Sequence, residues 1–360
     1  NLNRALATVG RAVATRTTLP ITQNVLLSTE QGRLKLSATN LEIAITTWIG
    51  GKIDEEGAIT VPARLLTEFV NALPADQIDL TATARPRALQ LKCARYDARI
   101  NGTEASEFPP LPSVEDGVPA KLDPQALRTA IAQVVFAAAV EESRPVLTGV
   151  KMELDGDSFT MAAADGFRLA VHKGKLLEPV AEPVGVIVPA RTFAELGRLL
   201  PEQDEPVEML VTAAKSQVLF RLKNVEMISQ LIQGSFPNYS QLIPQSSQTR
   251  TVVSLPEVLR AARTASIFAR DGSGIIRCQM TPGAEGAPGK LALSARAEEL
   301  GENEGSLDAK IEGEAAKIAF SSKYLLEVLQ VLGEGEVTLE TTSPSSPGVF
   351  RPVAPRPVFS

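Results

Sequence analysis

The chain is poor in the residues that most chemistry needs. Its 360 residues include a single histidine, His172, and two cysteines, Cys93 and Cys278. One histidine cannot assemble a Ser-His-Asp array or a metal cluster. No P-loop or Gly-rich dinucleotide fingerprint is present either. Catalysis is therefore not expected, nor a cofactor or a metal. The longest apolar run, around Val134 to Val140, falls far short of the ~20 residues of a membrane span. Nothing at the N-terminus resembles a signal peptide; the chain begins at Asn1 without Met, so a few preceding residues are expected. The two cysteines have no pairing spacing and read as reduced cytosolic thiols, which predicts a soluble, cytoplasmic protein. A net charge of −6 and a pI near 5.2 argue, taken alone, against nucleic acid.

What the chain does have is a threefold internal repeat. Val61-Pro62-Ala63-Arg64, Glu68 and Leu73-Pro74 return 127 positions later as Val188-Pro189-Ala190-Arg191, Glu195 and Leu200-Pro201. A fainter copy places Lys323, Glu327 and Leu332 in the same frame. Leu34-Lys35-Leu36-Ser37-Ala38 recurs as Leu291-Ala292-Leu293-Ser294-Ala295 and loosely as Phe159-Thr160-Met161-Ala162-Ala163. Phe108-Pro109 and Phe236-Pro237 close the first two copies. Units of about 120 residues are domain-sized, larger than solenoid repeats. Three domains are predicted, over 1–116, 117–245 and 246–360.

Each copy reads as two helices and a larger number of strands. Leu2, Leu6, Val9 and Val13 have helical spacing, as do Leu127, Ile131 and Val134, and Leu255, Val258, Leu259 and Ala262. A second helix follows in each copy. Its apolar stripe is Leu65, Leu66, Phe69, Val70 and Leu73, then Phe193, Leu196 and Leu200, then Leu325, Val328, Leu329 and Leu332. Pro62 suits the first turn of such a helix. Alternating, β-rich runs over 32–48, 77–101, 150–172 and 207–233 supply the strands. The pattern is α+β, with the helices packed on one face of antiparallel sheets. Segments 281–289 and 298–314, rich in Gly, Pro or Glu, read as exposed loops.

The outward faces of these helices carry cations. Arg64 and Asn71 lie opposite their apolar stripe, and the repeat carries them onto Arg191 and Arg198, then Lys323 and Gln330. In the opening helices Arg4 and Arg11, with Arg16 just beyond, and Arg260, with Arg263 beside it, point outward. The second opener dissents, with Gln125, Thr129 and Gln133 outward and Arg128 at the edge. The six helical segments sum to +6, which leaves −12 for the remainder of a chain of net −6. A single cationic helix face can serve solubility alone. Repetition in three copies favours a shared ligand, and Lys and Arg with few aromatics suit sequence-blind contact with a phosphate backbone.

Several motifs then resemble one family over essentially the whole chain. They are Thr18-Leu19-Pro20-Ile21 with Asn24, Thr39-Asn40-Leu41-Glu42, Ser143-Arg144-Pro145-Val146-Leu147-Thr148-Gly149-Val150, Ala164-Asp165-Gly166-Phe167-Arg168-Leu169-Ala170, Val186-Ile187-Val188-Pro189 and Gly234-Ser235-Phe236-Pro237-Asn238-Tyr239. In order and at this spacing they resemble the bacterial sliding clamps, the β subunits of DNA polymerase III. The resemblance implies a DNA clamp fold. Each chain would form half of a closed ring, a head-to-tail homodimer with helices lining the hole around duplex DNA and sheets on the rim. It also implies a processivity factor that tethers the polymerase III catalytic subunit, the clamp loader and other clamp-binding-motif proteins. A heterologous interface whose rotation closes gives such a ring.

The same resemblance assigns sites. The outward cations already read from the helix faces, Arg4, Arg11, Arg16, Arg64, Arg191, Arg198, Arg260, Arg263 and Lys323, would then face the hole and meet DNA. A peptide pocket takes Leu147, Gly166, Arg168, Leu169, Pro237, Leu242 and Ile243, although Leu147, Leu169 and Leu242 serve equally well as core residues. Phe167 stands where some members carry a different residue. The dimer seam takes Arg95, Tyr96 and Ala98 against Ser266 and Ile267, with Glu298, Glu299, Glu302 and Glu304 near Arg95 and Arg99. Pro145 and Val146 replace the tyrosines that some members place near DNA. The Pro-rich end from Val349 to Ser360 departs from the family's Met-Pro-Met-Arg-Leu-like tail. Asp165-Gly166 reads as a strand-end turn rather than a catalytic pair. The rival reading, a scaffold that binds only peptides, differs in predicting no dependence on DNA topology.

Overall fold

Alternation of apolar and polar side chains drives twenty-two segments of the described chain into strands, and six amphipathic segments fold into α-helices. The structure, a computed structural model, describes residues 1–353. It divides into two compact units, residues 1–236 and residues 237 onward.

The first unit holds two copies of one pattern. The first runs α1 (Leu2–Gly10), β1 (Asn24–Glu30), β2 (Arg33–Thr39), β3 (Ile43–Gly50), β4 (Ala58–Pro62), α2 (Ala63–Ala72), β5 (Asp79–Ala84), β6 (Arg87–Cys93) and β7 (Tyr96–Asn101). The second runs β8 (Val118–Leu122), α3 (Pro124–Val134), β9 (Gly149–Asp155), β10 (Ser158–Ala164), β11 (Leu169–Lys175), β12 (Val184–Pro189), α4 (Ala190–Leu199), β13 (Val207–Val211), β14 (Gln217–Leu222) and β15 (Val225–Gln230). The antiparallel pairing of β3 with β15 fuses the copies into one eight-stranded sheet, ordered β4-β1-β2-β3-β15-β14-β13-β8. Two smaller sheets, β5-β6-β7 and β11-β10-β9-β12, complete the unit. Helices α1 and α2 pack together, as do α3 and α4. Leu6, Leu66, Leu127 and Leu196 are buried with Leu36, Met161 and Phe220 in one continuous core.

The second unit repeats the pattern as β16 (Thr249–Ser254), α5 (Leu255–Arg270), β17 (Ile275–Thr281), β18 (Gly289–Ala297), β19 (Gly301–Gly313), β20 (Ala316–Ser321), α6 (Ser322–Val331), β21 (Glu336–Thr341) and β22 (Val349–Pro352). Its sheet order is β20-β17-β18-β19-β16-β21-β22. Val258, Ala262, Leu325 and Leu329 cover Ile276, Leu293 and Leu339. The recurring five-residue motif falls on β2, β10 and β18, the same strand of each copy.

Four expectations need correction. Segment 298–314 is largely strand β19, paired with β18 over Gly301–Ala309 and with β16 over Lys310–Gly313. Its Leu307 and Ala309 are buried while Glu302, Glu304, Ser306, Asp308, Lys310 and Glu312 face solvent, an alternation that Gly and Glu hide from a composition reading. Leu65 is 52% exposed, because the narrow buried face of α2 is taken by Ala63, Leu66 and Val70. Pro62 ends β4 as the cap before α2, one residue short of its first turn. Helix α1 stops at Gly10, so Arg11 is its C-cap and Val13 lies beyond it. The 282–288 segment is a loop as expected. The C-terminal departure begins in β22, and its remainder, residues 354–360, lies outside the described residues.

Candidate nucleic-acid interface and peptide site

The cationic face is set by the helix starts. Strands β4 and β12 each end in a proline, φ −54° at Pro62 and −52° at Pro189, and the helix begins at the next residue. In the third copy Ser321 caps α6, its hydroxyl accepting from the Tyr324 amide at 3.4 Å. Arg64, Arg191 and Lys323 therefore all lie in a first turn, and all three are exposed, as are Arg4, Arg16, Arg198, Arg260 and Arg263. Arg11 is half-buried.

Not all of these cations are unpaired. The frame position four residues after each first-turn cation is a glutamate, and it lies on the same helix face. On α2, Arg64 Nε donates to Glu68 Oε1 at 2.9 Å, with both groups open to water. On α4, Glu195 is only 12% exposed and meets two cations. Arg198 Nη1 lies 3.3 Å from both of its oxygens, and Arg11 Nη1, from the first copy, lies 3.4 Å from Oε2. Arg4 approaches Glu202 at 3.7 Å. Arg16, Arg191, Arg260, Arg263 and Lys323 have no carboxylate within 4.0 Å among the described residues. The sequence reading missed this counter-charge, although glutamate at the shared i+4 position was visible in all three copies. On α3, Gln133 turns from its expected outward position to meet His172 Nδ1 at 2.8 Å. His172 also stacks on Phe159, and burial holds its pKa below the ordinary histidine value.

The turn between β10 and β11 is built around Asp165. Its Oδ1 accepts from the amides of Phe167 (2.8 Å) and Arg168 (3.0 Å), and Oδ2 accepts from Arg168 Nε at 3.1 Å. Arg168 Nη2 donates to the Phe136 carbonyl at 2.7 Å, and its guanidinium lies 5.3 Å from the Phe136 ring centroid. Gly166 sits at φ +93°, where a Cβ would come within 3.2 Å of Arg144 Nη1. The turn between β2 and β3 repeats the device: Asn40 Oδ1 accepts from the Glu42 and Ile43 amides, with Leu41 at φ +75°. Asp165-Gly166 is thus a strand-end turn that holds Arg168. Leu147 is buried, Leu169 half-buried and Phe167 86% exposed. In the second unit Pro237 and Leu242 are exposed and Ile243 half-buried, the last two in and just after a short 3-10 turn at Tyr239–Leu242.

The expected seam residues lie on accessible edges. Arg95 lies in the β6–β7 turn and Tyr96, 57% exposed, opens β7, with Ala98 and Arg99 following on that strand. Beyond its pairing with β6, β7 has an open outer edge among the described residues. Ser266 and Ile267 lie on α5, Ile267 exposed; Glu298 and Glu299 fill the β18–β19 turn. Among the described residues, the stretch Gly301–Ala309 of β19 pairs only with β18.

Both cysteines are free and buried, and burial pushes the Cys278 thiol up to about 12. Among the described residues no group of three His, Cys, Asp or Glu could hold a metal ion, and no helix is long and apolar enough to cross a membrane.

Comparison with known proteins matches this arrangement along its length. Models of the DNA polymerase III beta subunit match in three segments: the N-terminal domain over residues 1–112, the central domain over 121–238 and the C-terminal domain over 240–357. The beta sliding clamp of Bacillus subtilis is 30% identical over 351 residues, covering 95% of this chain and 91% of that protein. That of Synechococcus elongatus is 32% identical over 358 residues, covering 98% and 94%. The crystal structure of the Bacillus subtilis DNA polymerase sliding clamp superposes with a TM-score of 0.91 at 29% identity, covering 99% of this chain and 94% of that one. The Pseudomonas aeruginosa beta subunit gives 0.88 at 28% identity, covering 98% and 94%.

Proposed function

This chain belongs to the DNA polymerase III beta subunit family, the bacterial sliding clamps, and we propose that its exposed helix cations face duplex DNA inside a ring of two chains. The protein is a non-catalytic processivity factor of DNA replication. It encircles duplex DNA and tethers the replicative polymerase. The full-length family match, with a cation in the first turn of the second helix of all three copies, carries the proposal. Retention by a closed ring is topological, so the contacts themselves can stay weak and sequence-blind, which lets the ring slide. Arg4, Arg11, Arg16, Arg64, Arg191, Arg198, Arg260, Arg263 and Lys323 supply those contacts. Domain boundaries fall near residues 116 and 245, and the compartment is the cytoplasm.

The joint between the first two copies supports a specific seam. It pairs β3, at the end of the β4-β1-β2-β3 run of the first copy, with β15, the last strand of the second copy. The counterpart of β15 in the first copy is β7, and the counterpart of β3 in the third is β19. Both have an unpaired edge among the described residues. Antiparallel pairing of β7 with the Gly301–Ala309 stretch of a second chain would repeat the internal joint. On the register of the internal joint, Arg95 and Tyr96 at the start of β7 would meet the stretch near Glu304 and Gly305, while Glu298 and Glu299 would lie by the far end of β7, beyond Arg99; Ala98, Ser266 and Ile267 belong to the same proposed seam. Such a contact is heterologous and closes after two chains. Peptide tails of the polymerase III catalytic subunit, the clamp loader and other clamp-binding proteins would dock on Leu147, Gly166, Arg168, Leu169, Pro237, Leu242 and Ile243. Arg168 acts there through the turn that it holds.

Loading the protein onto nicked circular DNA with a clamp loader and then linearising the circle tests this. The protein is expected to stay on circles and run off free ends. Equal retention on both would leave only peptide-scaffold binding.

A further inference from the structure

We propose that Glu195, with Glu68 as its weaker counterpart, is a built-in counter-charge that sets how firmly the helix face grips DNA. The inference rests on the reading above that these helices face the duplex. Three observations carry it. Glu195 lies between Arg191 and Arg198 on one face of α4, at the i, i+4, i+7 positions. It is 12% exposed, shielded from water that would otherwise screen it, and it meets Arg198 of its own copy and Arg11 of the preceding one. Both contacts are loose, at 3.3 to 3.4 Å, and each uses one guanidinium nitrogen, Nη1. A guanidinium has five N–H donors. Both arginines are thus held in place with donors left for phosphate.

The physical consequence concerns counterions. A cation that neutralises a phosphate releases the counterion condensed there, and log K falls with log salt by about 0.9 per phosphate neutralised. An arginine already balanced by a carboxylate brings less net charge to the phosphate. Arg11, Arg191 and Arg198 together with Glu195 carry net +2 rather than +3. On α2, Arg64 with Glu68 carries none. The carboxylates keep each contact shallow, so that stepping from phosphate to phosphate is quick. Glu195 also separates Arg11 from Arg198, which would otherwise repel across the joint between copies. Glu195 is a positioning residue: it acts on DNA through the two arginines.

The test uses the full chain and a short linear duplex, with affinity followed by anisotropy across a series of salt concentrations. Glu195→Gln is expected to steepen the salt slope by roughly 1 and to tighten binding several-fold at low salt. On circular DNA it should slow one-dimensional diffusion of the loaded ring. Glu68→Gln, at an exposed site that cannot upset the core, should shift the slope the same way and by no more. Slopes at or below wild type for both variants overturn the proposal. Arg191→Ala separates it from the reading beneath. A shallower slope for Arg191→Ala with an unchanged one for Glu195→Gln removes Glu195 alone. No change for Arg191→Ala overturns both.

Discussion

Helices α2 and α4 share a sequence frame and differ in their surroundings. Each starts one residue after a strand-ending proline, each buries a leucine (Leu66 or Leu196), and each sets an arginine four residues before a glutamate. On α2 the ion pair is local and open to water, Arg64 with Glu68. On α4 the glutamate is sheltered and shared, because the end of α1 delivers Arg11 to it. Among the described residues Glu68 meets no second cation. The lesson is that a repeated sequence specifies the element and the spacing of its charges, while the surrounding elements decide which of those charges pair.

The largest effect should come where the helices are alike. Leu66→Ala and Leu196→Ala each empty a fully buried site and should each cost roughly 2–5 kcal/mol in denaturant unfolding. A loss confined to one of them would break the equivalence of the two cores. The next effect should separate the helices. Arg11→Ala removes a partner of the sheltered Glu195 and should destabilise by about 1 kcal/mol or somewhat more. Arg64→Ala loses only a fully exposed, water-screened pair and should shift stability less than Arg11→Ala does. Equal thermal shifts for the two would erase the distinction.

Acid should then single out the second copy, which alone holds a histidine. Burial depresses the His172 pKa in the folded state, so the unfolded chain takes up the proton more readily. Stability is full above the unfolded histidine value of about 6.5 and falls as pH drops below it. His172→Gln should flatten that part of the stability–pH profile; an unchanged profile would mean other groups govern it. The smallest effect should be at Leu65, whose exposed side chain makes Leu65→Gln change stability by less than ~0.5 kcal/mol. A loss like that of Leu66→Ala would show that the surface is covered in the assembled protein.

Much of this architecture was legible from residue pattern. The motif on β2, β10 and β18, and the proline before α2 and α4, carried the register of the copies without any coordinates. Strand β19 was not legible, since glycine and glutamate dominate its composition and only its alternation against β18 and β16 makes it a strand. Leu65 was misjudged because a helix of ten residues buries a narrower stripe than its apolar count suggests. For the candidate site, exposure of the first-turn cations followed from the helical period. The pairing of Arg168 with the Phe136 carbonyl and of Gln133 with His172 joins residues more than thirty positions apart.

By itself, the sequence determined the threefold repeat, because its motifs recur in order along the chain, and it determined the α+β class, the location of the helices and the cation in each first turn, because these depend on spacing within a few residues. Only the tertiary structure decided that β3 joins β15 in one sheet, that a glutamate-rich segment becomes a long strand, and that Glu195 is shared between copies. Those outcomes depend on which distant backbone edge or charged end arrives alongside, and no local period encodes that.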